Sequence, residues 1–459
     1  MTTLDRLTAP AALAKTPGRT RHVTLGARAI EELPRWLTRD GLAGDVVLIA
    51  DEHTIVAAGD RVEAALEASG RNVRRLVLEP RPEDDHLVCE DGVIHALKAI
   101  LAANRHAIPV AVGAGTVNDI VKMAAHELDR DYVVVPTAAS MNGYTSLIAA
   151  ILIAGVKRTL PARQPIAIFA DIDVLAAAPA ELNRAGFGDL LSKPYSNADW
   201  LLSHLVRDVP YSSAPSDLLD DVFARLLDSA RAVGRADHDG LTVLMECILL
   251  SGFSMTIAGS SAPASGGEHL ISHYWDMEQF DRGLPLHGLH GTQVGIATRL
   301  SALLFERLVA LEARDIHPVQ CAQRRPDKAW LDRLGDVHDT LSAPVVAELR
   351  DQLAQKQLVA GELRAELERV RDRWPEIREK LRAVLMPAAE ITEALRAAGC
   401  PDRASRIGVD AARAVKTLRV CRHMRNRYVA FDLMDDLGLL EGWAEAVVAE
   451  TEAPDASAP

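Results

Sequence analysis

Asp189, His269 and His290 are a carboxylate and two imidazoles, each in a setting that suits a ligand of a divalent cation. The settings are Gly186-Phe187-Gly188-Asp189-Leu190-Leu191-Ser192-Lys193, Gly266-Gly267-Glu268-His269 and His290-Gly291-Thr292-Gln293-Val294-Gly295. Three protein donors leave coordination positions open, and an open position distinguishes a catalytic metal from a structural one. Spacing by itself does not select His269 and His290 from the 15 histidines. His273 follows His269 by four residues and shares its face on a helix, as a second ligand or as a substrate contact. His287 precedes His290 by three, and Gly288 and Gly291 predict a loop or helix start there.

Upstream, Val112-Gly113-Ala114-Gly115-Thr116-Val117-Asn118-Asp119 follows an apolar run and opens a helical pattern. Backbone N–H groups at such a turn converge on an anion, with the positive end of the helix dipole behind them. Gly115 lets the main chain approach a pyrophosphate closely, although the segment is not the GxGxxG fingerprint. The next strand ends in Pro136-Thr137-Ala138-Ala139-Ser140-Met141-Asn142-Gly143-Tyr144-Thr145-Ser146. Small hydroxyl residues at the carboxyl end of a strand suit a nicotinamide and its ribose. Asp51 has two readings, an acceptor for an adenosine ribose hydroxyl, which favours NAD over NADP, or a helix N-cap. A phosphate-holding turn followed by an open metal set suggests an enzyme that places a nicotinamide beside a metal-polarised carbonyl.

These residues need a scaffold. Apolar runs at Asp45 to Ala50, Val73 to Leu78, Pro109 to Val112, Asp131 to Pro136 and Ile166 to Phe169 predict strands. Between them Arg61 to Ser69, Asp91 to Asn104 and Val117 to Glu127 predict helices. That alternation predicts an α/β Rossmann-like parallel-sheet domain over residues 22–178. Beyond about Pro179 only helical spacing remains, which predicts an all-α domain over residues 179–449. Ala347 to Val384 is heavily charged and reads as a solvated helical hairpin. Thr242 to Gly259 is apolar but interrupted by Glu246, Ser251, Gly252 and Ser254, so it reads as a buried helix and not a membrane span. Residues 1–21 are expected to be flexible and not a secretory signal, and residues 450–459 to be a disordered tail.

The chain of 459 residues suits two domains, since single cores rarely grow beyond about 250–300 residues. Its formal charge of −13 argues against a nucleic-acid or anionic-membrane partner, which needs a cationic face. A phosphorylated substrate remains compatible, because a few local cations or N–H groups suffice. Five cysteines without a CxxC pair fit a reducing cytoplasm.

Taken in order, several motifs resemble the sn-glycerol-1-phosphate dehydrogenases, and especially their bacterial branch. They are Gly115-Thr116-Val117-Asn118-Asp119, the Pro-Thr-Ala-Ala-Ser run ending at Ser140, Gly188 to Lys193, Ser265 to His273, and His290-Gly291 before Val294-Gly295. That group lies in the iron-containing alcohol dehydrogenase and glycerol dehydrogenase superfamily, with dehydroquinate synthase a more distant relative. The likeness runs from residue 22 to about 445 and includes Arg425-Asn426-Arg427-Tyr428.

The resemblance implies a dehydroquinate synthase-like architecture and reversible NAD(P)-dependent reduction of dihydroxyacetone phosphate to sn-glycerol 1-phosphate. It implies that Gly113, Gly115, Thr116, Val117, Asn118 and Asp119 hold the cofactor pyrophosphate. Thr137, Ala138, Ala139, Ser140 and Ser146 would line its nicotinamide side. Asp189, His269 and His290 would bind one divalent metal, zinc or nickel, with iron a third option, while Asp189 and His273 also meet substrate. The phosphate needs a cationic anchor, for which His273 and Lys193 come first and Arg158 and Lys157 second.

Two positions depart from the family pattern. Asn142 stands where relatives usually carry a substrate-contacting Asp, and an amide has no charge and cannot act as a base. Thr292 stands where they often carry Glu. Asn142 therefore leaves room for a different polyol or polyol phosphate. A homodimer or higher homo-oligomer in the cytoplasm is expected. Two other readings share the scaffold: a sugar-phosphate cyclase or lyase, whose expected basic cluster is not found, and a protein that binds nucleotide or metal without turnover.

Overall fold

The computed structural model describes residues 18–81, 87–153, 156–325 and 327–453. The chain divides into two compact units. One comprises Met1–Leu190, Ala214–Ser261 and Ala397–Gly399, and the other Leu191–Ser213, Ala262–Arg396 and Cys400–Pro459. The strand-bearing unit thus runs past residue 178 and takes back a helical stretch between 214 and 261.

Among the described residues, eight strands lie in the first unit: β1 (His22–Gly26), β2 (Val46–Asp51), β3 (Val73–Leu78), β4 (Ile108–Gly113), β5 (Val133–Pro136), β6 (Ile148–Ile153), β7 (Val156–Pro161) and β8 (Ala167–Asp171). Six of them form a parallel sheet in the order β1-β8-β5-β4-β2-β3. β4, β5 and β8 are buried throughout and β2 up to Asp51, because continuous Val, Ile and Ala runs tolerate cover on both faces. The chain leaves β2 for β3 on one side and returns to β4 on the other. Such a reversal opens a crevice at the carboxyl ends of the two central strands. The register, with Ile49 opposite Ala111 and Gly113 opposite Pro136, brings Asp51, Gly113 and Pro136 to one level at that end.

Two features were not foreseen. β1 is a half-buried edge strand with no apolar run to mark it. β6 and β7 form a separate antiparallel hairpin, and the unbroken Ile148–Ile153 run lacks the alternation that marks a half-exposed strand. Residues 18–21, expected to be flexible, are tied down instead. Thr20 is buried with its hydroxyl donating to Pro165 O at 2.8 Å, and Arg21 N–H donates to Ile166 O at 2.7 Å. Residues 1–17 of that expectation lie outside the described residues.

The helices that position the candidate site are α1 (Gly115–Glu127) and α2 (Ala180–Leu190), followed by α3 (Lys193–Arg207) of the second unit and α4 (His238–Ala258) of the first. α4 is long and apolar enough to cross a membrane, yet 78% of its most apolar window is buried inside the fold. Its Glu246 is held by Arg225 at 2.9 Å, so the interrupting charge is paired.

In the second unit, strands are absent among the described residues. Its helices include α5 (Gly267–Asp281), α6 (His290–Ala310), α7 (Ala343–Lys356), α8 (Ala360–Arg382) and α9 (Leu440–Glu452). α5 packs along α6. α7 and α8 fall in the stretch expected to be a charged helical hairpin, but they pack on other elements, α8 on Pro318–Arg324 and α3, and α7 on Cys421–Met424. α8 buries Leu363, Leu367, Val370, Trp374, Ile377 and Leu381, one stripe at helical spacing, together with Glu366, which accepts from Arg207 at 2.9 and 3.0 Å. α9 continues to Glu452, so the start of the expected disordered tail is helical, and residues 454–459 lie outside the described ones.

Candidate active site

At the carboxyl end of β4, α1 starts at Gly115 with Ala114 as N-cap and no side chain capping it. Its first internal bond runs from Asn118 N–H to Ala114 O at 3.0 Å. The N–H groups of Gly115, Thr116 and Val117 are therefore unused within the helix, and Ala114, Gly115 and Thr116 are partly exposed. An uncapped, accessible N-terminus fits a phosphate. The side chains of Asn118 and Asp119 face inward. Asn118 accepts from Tyr132 Oη at 3.2 Å and donates to Asp119 Oδ1 at 3.0 Å, while Asp119 Oδ2 accepts from Ala150 N–H at 3.2 Å. Gly115 answers to packing as well, since an added Cβ would lie 2.9 Å from Met141 Cγ.

Asp51 closes β2 as an N-cap. Its Oδ1 accepts from His53 N–H at 3.0 Å and Thr54 N–H at 2.7 Å, and Thr54 Oγ1 accepts from Asp51 N–H at 2.9 Å.

The 137–146 loop is rigidified from three sides. Thr137 N–H donates to Gly113 O at 3.2 Å, and Tyr144 Oη donates to Ala138 O at 2.8 Å. Ala138 and Ala139 are fully buried, and Ser140 is half-buried. Beneath the loop, fully buried Lys122 donates to Gly143 O at 2.6 Å and Ile148 O at 3.1 Å. Burial lowers the Lys122 pKa, opposed by Asp119 at 3.5 Å. Ser146 is also buried, its hydroxyl against Gly143 O and Ile148 O. From α4, Leu249 O accepts from Thr145 Oγ1 at 2.6 Å, and a Cβ on Gly252 would strike Thr145 Oγ1.

α2 supplies the third side with residues at i, i+3 and i+6. Asn183 Oδ1 accepts from Ala139 N–H at 2.9 Å. Gly186 admits Ala139 O, which any Cβ at that position would strike. Asp189 Oδ2 accepts from Asn142 N–H at 3.1 Å. One helical face thus follows the loop residue by residue and ends on the candidate ligand.

In the second unit, α5 carries His269 and His273, and α6 begins with His290. Ring centroids are 6.0 Å apart for His269 and His273, and 5.4 Å apart for both His269–His290 and His273–His290. His269 Nδ1 lies 2.8 Å from Glu268 Oε1, which also accepts from Gly266 N–H at 2.8 Å. A carboxylate only accepts, so Nδ1 holds the proton and Nε2 keeps its lone pair. His290 is held by a longer relay. Its Nδ1 lies 3.0 Å from Ser272 Oγ, Ser272 donates to Gln293 Oε1 at 2.8 Å, and Gln293 Nε2 donates to Asp276 Oδ1 at 2.9 Å. With its proton spent on Gln293, Ser272 accepts from His290 Nδ1–H, and Nε2 again carries the lone pair. Outer partners of this kind fix the tautomer of metal-ligating histidines.

Two glycines make this entry possible. A Cβ on Gly266 would sit 2.5 Å from Asp199 Oδ2, and one on Gly267 would sit 2.9 Å from Phe431. Asp199 accepts from Gly267 N–H and Ala430 N–H, both at 2.6 Å, and burial together with the charge of Glu268 pushes its pKa up to about 8.

His269 and His290, both of the second unit, hold their ring centroids 5.4 Å apart, and each keeps its Nε2 lone pair for a cation. Two imidazole nitrogens, with the Asp189 carboxylate as the candidate third ligand, suit zinc, nickel or iron. His287 is engaged elsewhere. Its Nε2 accepts from Gln279 at 2.7 Å and its Nδ1 faces Ile407 O at 3.2 Å, and burial with nearby Arg413 lowers its pKa.

Among the proposed cationic anchors, Lys193 is buried at the start of α3, and Arg158 is exposed on β7. The Lys157 side chain lies outside the described residues. Arg425, assigned no role from the sequence, has Nη2 3.2 Å from His273 Nδ1. Sequence reasoning also assigned no role to Lys122, Asn183, Glu268, Ser272, Asp276 or Gln293. A three-residue step from each ligand was a usable signal, since it reaches Gly186 from Asp189, Ser272 from His269 and Gln293 from His290.

The profile of the iron-containing alcohol dehydrogenases matches residues 24–179. The fold agrees with a probable glycerol dehydrogenase from Sinorhizobium meliloti, with a TM-score of 0.59 at 17% identity over 95% of this chain and 98% of that one. The structural likeness gives the chain a two-domain fold. Sequence relatives narrow the assignment. The glycerol-1-phosphate dehydrogenase [NAD(P)+] of Halalkalibacterium halodurans is 36% identical over 285 residues, 62% of this chain and 70% of that protein. That of Bacillus subtilis is 35% identical over 292 residues, 64% of this chain and 73% of its own length. The chain belongs to the glycerol-1-phosphate dehydrogenase family.

Proposed function

We propose that this chain is a metal-dependent NAD(P)H oxidoreductase that reversibly reduces dihydroxyacetone phosphate to sn-glycerol 1-phosphate. The observation that supports it most is the pair of His269 and His290, ring centroids 5.4 Å apart with Nδ1 of each held by Glu268 or Ser272, in a chain whose relatives bear that activity in their names. A divalent ion, when bound, offers Lewis-acid stabilisation of the charge that hydride transfer builds on a ketone oxygen.

The chain's own residues bind, orient and shield. The N–H groups of Gly115, Thr116 and Val117 take the dinucleotide pyrophosphate, and the half-buried stretch around Ser140 receives the nicotinamide side. Asp51 meets the adenosine ribose through the carboxylate that also caps its helix. Glu268 and Ser272 keep protons on the Nδ1 atoms of His269 and His290, so that each Nε2 remains a donor. Asn142 offers a neutral amide N–H to substrate where relatives usually carry a carboxylate. The choice among zinc, nickel and iron, and between NAD and NADP, belongs to the same proposal, as do a homo-oligomeric state and a cytoplasmic location.

The test is NADH and NADPH oxidation by the metal-reconstituted protein against a panel of phosphorylated and free ketones. Stoichiometric oxidation with dihydroxyacetone phosphate is expected. Product without net oxidation would point to cyclase or lyase chemistry, and binding without turnover on any ketone would overturn the reading.

A further inference from the structure

Arg425 lies in the Arg425-Asn426-Arg427-Tyr428 segment, which carried no role in the proposed reaction. Its Nη2 approaches His273 Nδ1 at 3.2 Å. A guanidinium only donates, so His273 Nδ1 is the acceptor and the imidazole carries its proton on Nε2. The His273 ring stacks at 19° on that of His290, centroids 5.4 Å apart. His290, His273 and Arg425 therefore run in sequence from the candidate metal ligands to a guanidinium, all within the second unit.

A second guanidinium adjoins the first. Arg427 donates through Nη1 to Ser265 O at 2.6 Å, next to the Gly266-Gly267 entry to α5. Burial, and then the like charge of Arg427, draw the Arg425 pKa down to about 10. A cation in that setting is favoured by a neighbouring anion, and a phosphate dianion beside two guanidiniums is a charge-assisted, fork-matched arrangement.

We infer that Arg425, with Arg427 behind it and His273 beside it, is the specificity-determining anchor for the phosphate of the substrate. This rests on the dehydrogenase reading above. In a triose phosphate the phosphorus lies three bonds from the keto carbon. An anchor one imidazole away from a metal-ligating histidine matches that short separation. Arg425 takes the role first considered for Lys193, Lys157 and Arg158, while His273 keeps its place as a substrate contact.

The experiment compares the full-length, metal-loaded protein with Arg425→Ala and Arg425→Lys on dihydroxyacetone phosphate and on dihydroxyacetone. The readout is the ratio of their kcat/KM values. Loss of charge-assisted hydrogen bonds to phosphate should lower that ratio about 100-fold in Arg425→Ala, mainly through KM, and about 10-fold in Arg425→Lys, which keeps a point charge. An equal loss on both ketones, or an unchanged ratio, overturns the anchor.

A second readout needs no turnover. Inorganic phosphate should raise the melting temperature of the wild type and leave that of Arg425→Ala unchanged. No shift at saturating phosphate also overturns it. Failure of the wild type to turn over any phosphorylated ketone, with phosphate still stabilising it through Arg425, would sink the dehydrogenase reading while leaving the anion site standing.

Discussion

The main-chain N–H of Asn142 donates to Asp189 Oδ2 at 3.1 Å. The 137–146 loop and the candidate metal ligand are thus joined by backbone, whatever side chain stands at position 142. The Asn142 side chain is spare. Its Nδ2 is buried and has no hydrogen-bond partner among the described residues. A buried donor without an acceptor costs about 1–3 kcal/mol, which a substrate oxygen would recover.

Restoring the usual family residue tests that view. Asn142→Asp keeps the backbone link but sets a second carboxylate near Asp189. The metal-free variant should melt several degrees lower than wild type, and bound metal should more than restore the difference because it offsets the repulsion. Activity on dihydroxyacetone phosphate should rise about 10-fold in kcat/KM, the scale of one charge-assisted contact. No gain, with metal content intact, would mean that the chain prefers another ketone.

The relay behind His290 predicts a graded series in metal affinity. His290→Ala removes a ligand and should abolish both tight metal binding and turnover while the circular dichroism stays native. Ser272→Ala and Gln293→Leu leave the ligand but free its tautomer, and should weaken metal binding about 10–100-fold. Chelator competition reads the affinities directly. Equal affinities in wild type and Ser272→Ala would show that the relay does not act on the metal.

Much of this scaffold was legible because its signals are local. The apolar runs of β2 and β4, and the glycines opening α1, announce strand, turn and helix within a dozen residues. Asp189, His269 and His290 stood out through their flanking motifs. What stayed hidden depends on contacts distant in sequence. Lys122 looks like an ordinary helix lysine until Gly143 O and Ile148 O are placed against it. Asn183 gains meaning only from Ala139 N–H, 44 positions away. Asp51 carried two readings at sequence level, and its capping bonds now account for Oδ1.

Gly186 offers a test of how closely α2 must approach the loop. Ala139 O stands where a Cβ on residue 186 would go, and backbone at that point cannot swing aside cheaply, so Gly186→Ala must push helix and loop apart. Overpacking of this kind costs about 1–3 kcal/mol. Because Asn183 and Asp189 flank the collision, metal affinity should fall with stability. A Gly259→Ala control, at a positive φ of 65° but with no atom within 4 Å of its Cβ, should lose stability without losing metal. Full metal affinity in Gly186→Ala would break the proposed link between the helix face and the ligand.

Acid sensitivity should be set partly by His338. Tyr274 Oη lies 2.9 Å from His338 Nδ1, and His338 Nε2 lies 2.9 Å from His423 Nδ1. Burial, with Lys416 nearby, brings the His338 pKa down from 6.5 to about 4, and burial with Arg422 takes His423 well below its usual value. Asp339 and Glu278 oppose the shift at His338 without reversing it. Both rings are thus neutral when folded, whereas the unfolded chain takes up their protons below about pH 6.5. The unfolded state binds more protons in that window, so stability is complete above pH 6.5 and falls as pH drops toward 4. For His338 the shift corresponds to about 3 kcal/mol. His338→Gln should flatten the fall in unfolding free energy between pH 6.5 and 4 by about one proton's worth of slope, measured on chelated protein so that metal release does not contribute. An unchanged slope in that variant would place the acid sensitivity elsewhere in the fold.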